Sequence, residues 1–258
     1  MPRFAANLTM LFGELPFLDR FAAAARAGFR AVEFVSPYEH APEEVARAAR
    51  DARVEVVLFN LPAGDWANGD RGMACDPARA AELRDGVGRA IAYARALVCP
   101  RLHLMAGIRP PGVPEAALRE AYLANLRHAG EALAREGLAV VVEGINPRDM
   151  PGYYLVTSRQ AFELMDAAEL PNLHYLYDAY HMQIVEGDLA PTLERRLARI
   201  GHVQIADTPG RNEPGTGEVN FGFLLRHLDR IGYRGWVGCE YRPRAGTLAG
   251  LSWMEAWR

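Results

Sequence analysis

The chain has 258 residues, 50% of them hydrophobic and 24% charged, with a formal net charge of −3. That length suits one large α/β domain, since a single (β/α)8 barrel commonly takes about 250 residues, and the slight acidic balance argues against a general affinity for nucleic acid or anionic membranes. No apolar run nears the roughly 18 residues of a membrane span, the N-terminus lacks the basic-then-apolar order of a signal peptide, and the cysteines Cys75, Cys99 and Cys239 form no CxxC pair, so free thiols in a cytoplasmic protein are expected.

Short apolar runs recur along the chain, each followed by a helix-like stretch. The strand-like runs are Phe4–Asn7, Ala31–Phe34, Val54–Phe59, Arg101–Met105, Ala139–Glu143, Leu173–Asp178, His202–Ala206 and Trp236–Glu240. Being mostly apolar, they suit strands covered on both faces. The helical stretches in chain order begin with Phe17–Ala27, which stops at Gly28. Pro42–Asp51 has Pro at a plausible first helical position. Ala78–Leu97 is long and rich in Ala, Arg and Glu, and Pro114–Glu136 ends at Gly137. Thr157–Glu169 opens on a Thr or Ser cap, Leu189–Arg199 ends at Gly201, Asn220–Arg230 ends near Gly232, and Leu248–Trp257 closes the series. Eight strands alternating with eight helices predict a parallel sheet closed into a single (β/α)8 TIM barrel over residues 1–258. The competing doubly wound sheet would carry a G-x-G-x-x-G turn after its first strand, and Asn7–Gly13 does not supply one. The long loops Leu61–Pro77 and Thr208–Glu218 are expected at the active-site end.

Polar residues sit at the carboxyl ends of the last four strands: Glu143, Asp178, Gln204 and Glu240. They are separated by 35, 26 and 36 residues, about one βα unit each, so they are expected to converge at the rim where barrels hold their chemistry. Three carboxylates brought together repel one another, and a divalent cation relieves this. Carboxylates with an amide oxygen form a hard site that suits Mg²⁺ or Mn²⁺. The alternative is that each carboxylate is satisfied separately by Arg or backbone donors. His181, three residues past Asp178, either donates to a substrate oxygen or is structural. Arg211, in the loop after the Gln204 strand, either holds a substrate carboxylate or is an exposed loop cation. Glu33 and Asn60, near the ends of the second and third runs, either face the pocket or tether a loop. Pro214–Glu218 lacks the Lys of a phosphate loop and reads as a tight turn shaping the rim.

The segments Arg3–Leu8, Asn60–Trp66, Asp178–Gln183, Gly201–Asp207, Glu213–Glu218 and Gly235–Tyr241 together resemble the hydroxypyruvate isomerase family, within the wider group of xylose-isomerase-like barrels. The match spans nearly the whole chain. It implies interconversion of hydroxypyruvate and 2-hydroxy-3-oxopropanoate, with Glu143 and Glu240 as the paired proton-transfer residues and with a place in glyoxylate metabolism. It implies a small hydroxy-oxo acid as the ligand, with no nucleic acid or membrane partner, and leaves self-association into a homo-oligomer open. Related ketose 3-epimerases place His where this chain has Gln204, and Gly144 stands where Pro is expected. A sister group acts on 2-oxo-tetronates, and the chain's two ends resemble it. The loops Leu61–Cys75 and Pro214–Glu218, expected to line the pocket, resemble the hydroxypyruvate enzymes.

Overall fold

Buried on both faces, short Val-, Ala- and Leu-rich strands can satisfy their backbone only by pairing with one another, and closing the sheet leaves no edge. A computed structural model describes residues 1–257 and shows that closure. Strands β1 (Arg3–Asn7), β2 (Ala31–Phe34), β3 (Glu55–Asn60), β4 (Arg101–His103), β5 (Ala139–Glu143), β6 (Leu173–Asp178), β7 (Ile200–Ile205) and β8 (Trp236–Cys239) pair in parallel in sequence order, and β8 pairs back onto β1. The expected (β/α)8 TIM barrel is therefore the observed fold.

Helices α1 (Phe17–Arg26), α2 (Pro42–Ala52), α3 (Ala80–Leu97), α4 (Glu115–Ala134), α5 (Ser158–Ala168), α6 (Ala179–Val185), α7 (Leu189–Arg196) and α8 (Phe221–Arg230) surround the barrel. Their start signals are physical. Thr157 Oγ1 accepts from the backbone N–H of Gln160, Asn220 Oδ1 accepts from that of Phe223, and Glu44 reaches back to the N–H of Ala41 ahead of Pro42. Three details differ from expectation. Gly201 is not a helix stop but lies inside β7, because that strand begins at Ile200. Helix α6 is an additional turn directly after β6, nucleated when Asp178 accepts from Tyr180 N–H at 2.8 Å. The closing segment Ala249–Trp257 is a 3₁₀ helix.

The main core fills the space between barrel and helices. Inside the barrel, Ala5, Ala31 and Val57 pack with Trp236, and Leu58, Val141 and Leu176 form a second apolar group. The three cysteines are free and buried. Among the described residues, no helix is long and apolar enough to cross a membrane.

Candidate active site

The register explains why residues of unlike spacing meet at one rim. Asn7 aligns with Glu33, Asn60 with His103 and Asp178 with Gln204, while the β8/β1 pairing runs through Cys239 and Ala6 toward Glu240 and Asn7. At β2/β3, β4/β5, β5/β6 and β7/β8 the partners are Leu58, Val141, Leu176 and Gly238, each two residues short of, or paired two short of, the next polar residue. Four steps of two residues make a stagger of eight per circuit, the shear of a TIM barrel. Strand tilt thus lifts one polar side chain per strand to a common level: Asn7, Glu33, Asn60, His103, Glu143, Asp178, Gln204 and Glu240. All but Asp178, which is buried, line a cavity of about 450 Å³ at the carboxyl ends of the strands.

The four residues expected to cluster do so with unequal partners. Asp178 spends Oδ1 on the cap of α6, while its Oδ2 lies 3.3 Å from Arg211 Nη2 and 3.5 Å from His181 Nε2. Glu240 accepts from Asn7 Nδ2 at 3.1 Å and from Arg211 Nη2 at 2.6 Å. Among the described residues Glu143 makes only long contacts, 3.7 Å to His181 and 3.8 Å to His103, and its buried Oε1 has no hydrogen-bond partner there. Gln204 donates through Nε2 to Glu33 at 2.7 Å, which leaves its Oε1 buried and without a partner among the described residues.

Burial and crowding set the electrostatics. The Glu143 carboxyl is pushed well above the usual range by burial and then by Asp178 and Glu240. Glu240 is raised to about 8, because burial and the negative charges of Asp178 and Glu33 outweigh the help of Arg211. Asp178 is also raised, by burial against the pull of Arg211 and the backbone donors of α6. Arg211 is held charged by Glu240, Asp178, Glu143 and Asp149 despite its burial. It is not an exposed loop cation: it is 7% exposed. Its backbone sits at φ 54, a left-handed conformation held by the bond from Arg242 N–H to the Arg211 carbonyl and by the Asp207–Asn212 bridge.

Asn146 fixes the state of His181. The Oδ1 of Asn146 accepts from the backbone N–H groups of Arg148 and Asp149, both at 3.0 Å, so its Nδ2 must face His181 Nδ1, 2.6 Å away. Nδ1 is then an acceptor and the ring proton sits on Nε2, aimed at Glu143 and Asp178. Burial, followed by the charge of Arg211, keeps the ring neutral, well below the usual histidine range. His103 is likewise neutral, lowered to about 3 by burial and by His202.

In the cavity wall, Glu33 reaches across the barrel. It accepts from Asn7 at 3.0 Å, from Gln204 at 2.7 Å and from His202 at 2.6 Å. Position 238 has to be glycine for this, since a Cβ there would lie 2.4 Å from the Glu33 carboxylate. Both oxygens of Glu33 are thereby engaged. The Asn60 amide, by contrast, faces the cavity and makes no hydrogen bond among the described residues, while its backbone carbonyl holds Tyr38. Asn7, His103, Asn146 and His202 were not singled out from the sequence. The signal for Asn7 was available, since it closes an apolar run as Glu143 does, whereas His103 lies inside the run Arg101–Met105.

The two long loops behave differently. Trp66 and Arg71, from Leu61–Pro77, line the cavity. Pro214–Glu218, expected to line it, does not; its turn wraps the Asp207 carboxylate, which accepts from the N–H groups of Gly215, Gly217 and Val219. This loop acts on the site by placing Arg211.

The oxygens fit a divalent cation. Ligand atoms of Glu143, Asp178 and His181 lie within 4.8 Å of one another. Two carboxylates at that distance repel by about 3–4 kcal/mol at an effective dielectric near 20, and among the described residues Glu143 has no ion-pairing Arg of its own. Its free Oε1 and the free Oε1 of Gln204 are the two buried acceptors that a hard cation would satisfy. His181 presents an N–H rather than a lone pair in this direction, which makes it a donor and not a ligand.

Known proteins share this architecture. The family model described as "Xylose isomerase-like TIM barrel" matches residues 21–257. A 2-oxo-tetronate isomerase of Cupriavidus necator is 51% identical over 99% of this chain and 98% of its own. A hydroxypyruvate isomerase of Escherichia coli K12 is 47% identical over the full length of both chains. Among solved structures, a chain from Brucella melitensis described as an AP endonuclease, family 2, superposes with a TM-score of 0.97 at 46% identity over all of both chains.

Proposed function

The chain belongs to the xylose isomerase-like TIM barrel family and is an isomerase, and from that premise we propose that it interconverts hydroxypyruvate and 2-hydroxy-3-oxopropanoate (tartronate semialdehyde). The observation that carries the reading is the pairing of two buried carboxylates in unlike environments, Glu143 without a partner and Glu240 held by Arg211 and Asn7, beside a neutral N–H donor, His181. The chain contains no lysine, so a side-chain Schiff base is not open to it and the proton must move through carboxylate or imidazole groups.

In hydroxypyruvate the C3 hydrogens flank a ketone. Loss of one gives an enediolate, and return of a proton at C2 gives the aldehyde. Glu240, whose carboxylate form is the one Arg211 and Asn7 favour, is the better base once it has ionised. Glu143, whose proton is held by burial and by its acidic neighbours, is the better acid. The proton then travels in the opposite sense in the reverse reaction. His181 Nε2–H donates to the developing oxyanion, a charge-localising bond that strengthens as the enediolate forms. Asn60 and Arg211 Nε, a buried donor without a partner, orient the substrate. Glu33 contributes by aiming Asn7 and Gln204. A divalent cation, Mg²⁺ or Mn²⁺, held by Glu143, Asp178, Gln204 and Glu240, would supply electrostatic stabilisation to the enediolate oxygens.

A four-carbon 2-oxo-tetronate is the second reading, favoured by the identity to the C. necator protein. DNA cleavage fits poorly, because the cavity is walled by carboxylates and the chain is net acidic. The isomerase reading places the protein in the cytoplasm and in glyoxylate metabolism. Its test is kcat/KM for hydroxypyruvate against 2-oxo-tetronates, with and without chelator. Hydroxypyruvate is expected to be preferred, with activity lost to chelator and restored by Mg²⁺ or Mn²⁺. Faster turnover of the tetronates would overturn the substrate, and full activity in chelator would remove the metal.

A further inference from the structure

An oxo-acid substrate brings a carboxylate into a cavity already crowded with carboxylates, so a guanidinium must receive it. Three line the cavity: Arg71, Arg211 and Arg242. Arg211 is engaged by Glu240, Asp178 and Asp149 and keeps one free donor. Arg242 is exposed, where water weakens any ion pair. Arg71 is half-buried and forms no ion pair among the described residues. Its Nη1 donates to the carbonyls of Trp66 (3.0 Å) and Asp70 (2.6 Å), and its guanidinium lies 4.0 Å over the Trp66 ring. The Nε and Nη2 edge makes no hydrogen bond among the described residues.

The loop that carries Arg71 is built to hold it still. Asp65 accepts from Asn68, and Asp70 accepts from Asp65 N–H at 2.7 Å and pairs with Arg79 at 2.8 Å. Gly72 then locks the loop to the chain leaving β4 through its bridge to Ala106. A Cβ at 72 would lie 2.5 Å from Met105, so only glycine allows this approach. Arg71 is thereby positioned on the β3–β4 side of the mouth, in the cavity that Glu143 and Glu240 also line.

We propose that Arg71, stacked on Trp66, is the residue that binds the substrate carboxylate and makes this site select α-oxo acids over neutral ketoses. This rests on the reading of the substrate as a hydroxy-oxo acid. A guanidinium edge matches a carboxylate bidentately, and the Trp66 platform fixes its plane. With the carboxylate on Arg71, C2 and C3 point toward the two glutamates.

The test compares wild type, R71M and R71K on hydroxypyruvate and on its neutral isostere dihydroxyacetone, used as substrate or as competitive inhibitor. R71M should raise KM for hydroxypyruvate by about 10²-fold, the size of a lost charge-assisted contact, with kcat within about threefold. R71K should recover part of the loss. Behaviour toward dihydroxyacetone should stay within about twofold in both variants. An unchanged KM for hydroxypyruvate in R71M overturns the assignment. So does an equal loss on both ligands, which would mean that Arg71 only braces the loop. A wild-type enzyme inactive on every oxo acid overturns the substrate reading itself, and the carboxylate site with it.

Discussion

The two halves of the barrel mouth have the same construction and opposite chemistry. Each strand gives one polar side chain to the common level, yet β5–β8 supply Glu143, Asp178, Gln204 and Glu240 with Arg211 among them, while β1–β4 supply Asn7, Glu33, Asn60 and His103. On the β1–β4 half the only carboxylate of these four, Glu33, is fully engaged by Asn7, Gln204 and His202, and His103 is neutral. Charge that can move a proton is thus concentrated on one side, and the other side offers neutral donors and the Trp66–Arg71 stack. The difference separates reaction from recognition within one ring.

The largest break in that separation comes from the charged half. E143Q and E240Q should each lower kcat by about 10³-fold or more, with circular dichroism unchanged. E143Q should also melt no lower than wild type, since it replaces a buried carboxyl that lacks a partner. Near-normal kcat in either variant would sink the proton-transfer roles.

Next comes the neutral donor within the charged half, His181. N146D places an acceptor against Nδ1, so the ring proton moves there and the donor at Nε2 is lost. We expect kcat to fall about 10–100-fold with KM changed little, measured by steady-state kinetics. An unchanged kcat would mean that the tautomer does not matter to the reaction.

The recognition half should respond mainly in KM. N60A removes a neutral amide from the cavity wall and should raise KM about 3–10-fold at nearly constant kcat. A kcat collapse instead would place Asn60 among the groups that act on the transition state.

The smallest effect is on stability. Glu240 is raised from 4.5 to about 8 in the folded chain, mainly by burial. A carboxyl raised in this way stabilises the fold below its ordinary range, and that contribution is lost as pH rises through about 8. Glu143 and Asp178 shift in the same direction. In chelator, Tm should therefore decline by a few degrees between pH 5 and 8, and Mg²⁺ or Mn²⁺ should flatten the decline. A Tm that rises over this window would contradict the electrostatic account.

The charged half was the more legible in the sequence. Acidic residues that end apolar runs one βα unit apart stand out, and the fold follows from the same alternation. The shear was not legible, because Glu143 and Asp178 reach one level only through a two-residue step that strand tilt imposes. Asn7 and His103 hid in plain runs, since an amide or imidazole at a strand end carries no charge to mark it. His202 and Asn146 act through partners far away in sequence, Glu33 and His181, and only the tertiary structure brings those together. The α6 cap was missed because Asp178 reads first as a rim carboxylate, although it serves as both.

Hydroxypyruvate incubated with the enzyme in D₂O and followed by proton NMR addresses the enediolate most directly. The account predicts deuterium at C3 and growth of the aldehyde form with wild-type enzyme, both abolished in E143Q and in E240Q. No exchange with wild type, or exchange that persists unchanged in both variants, would contradict it.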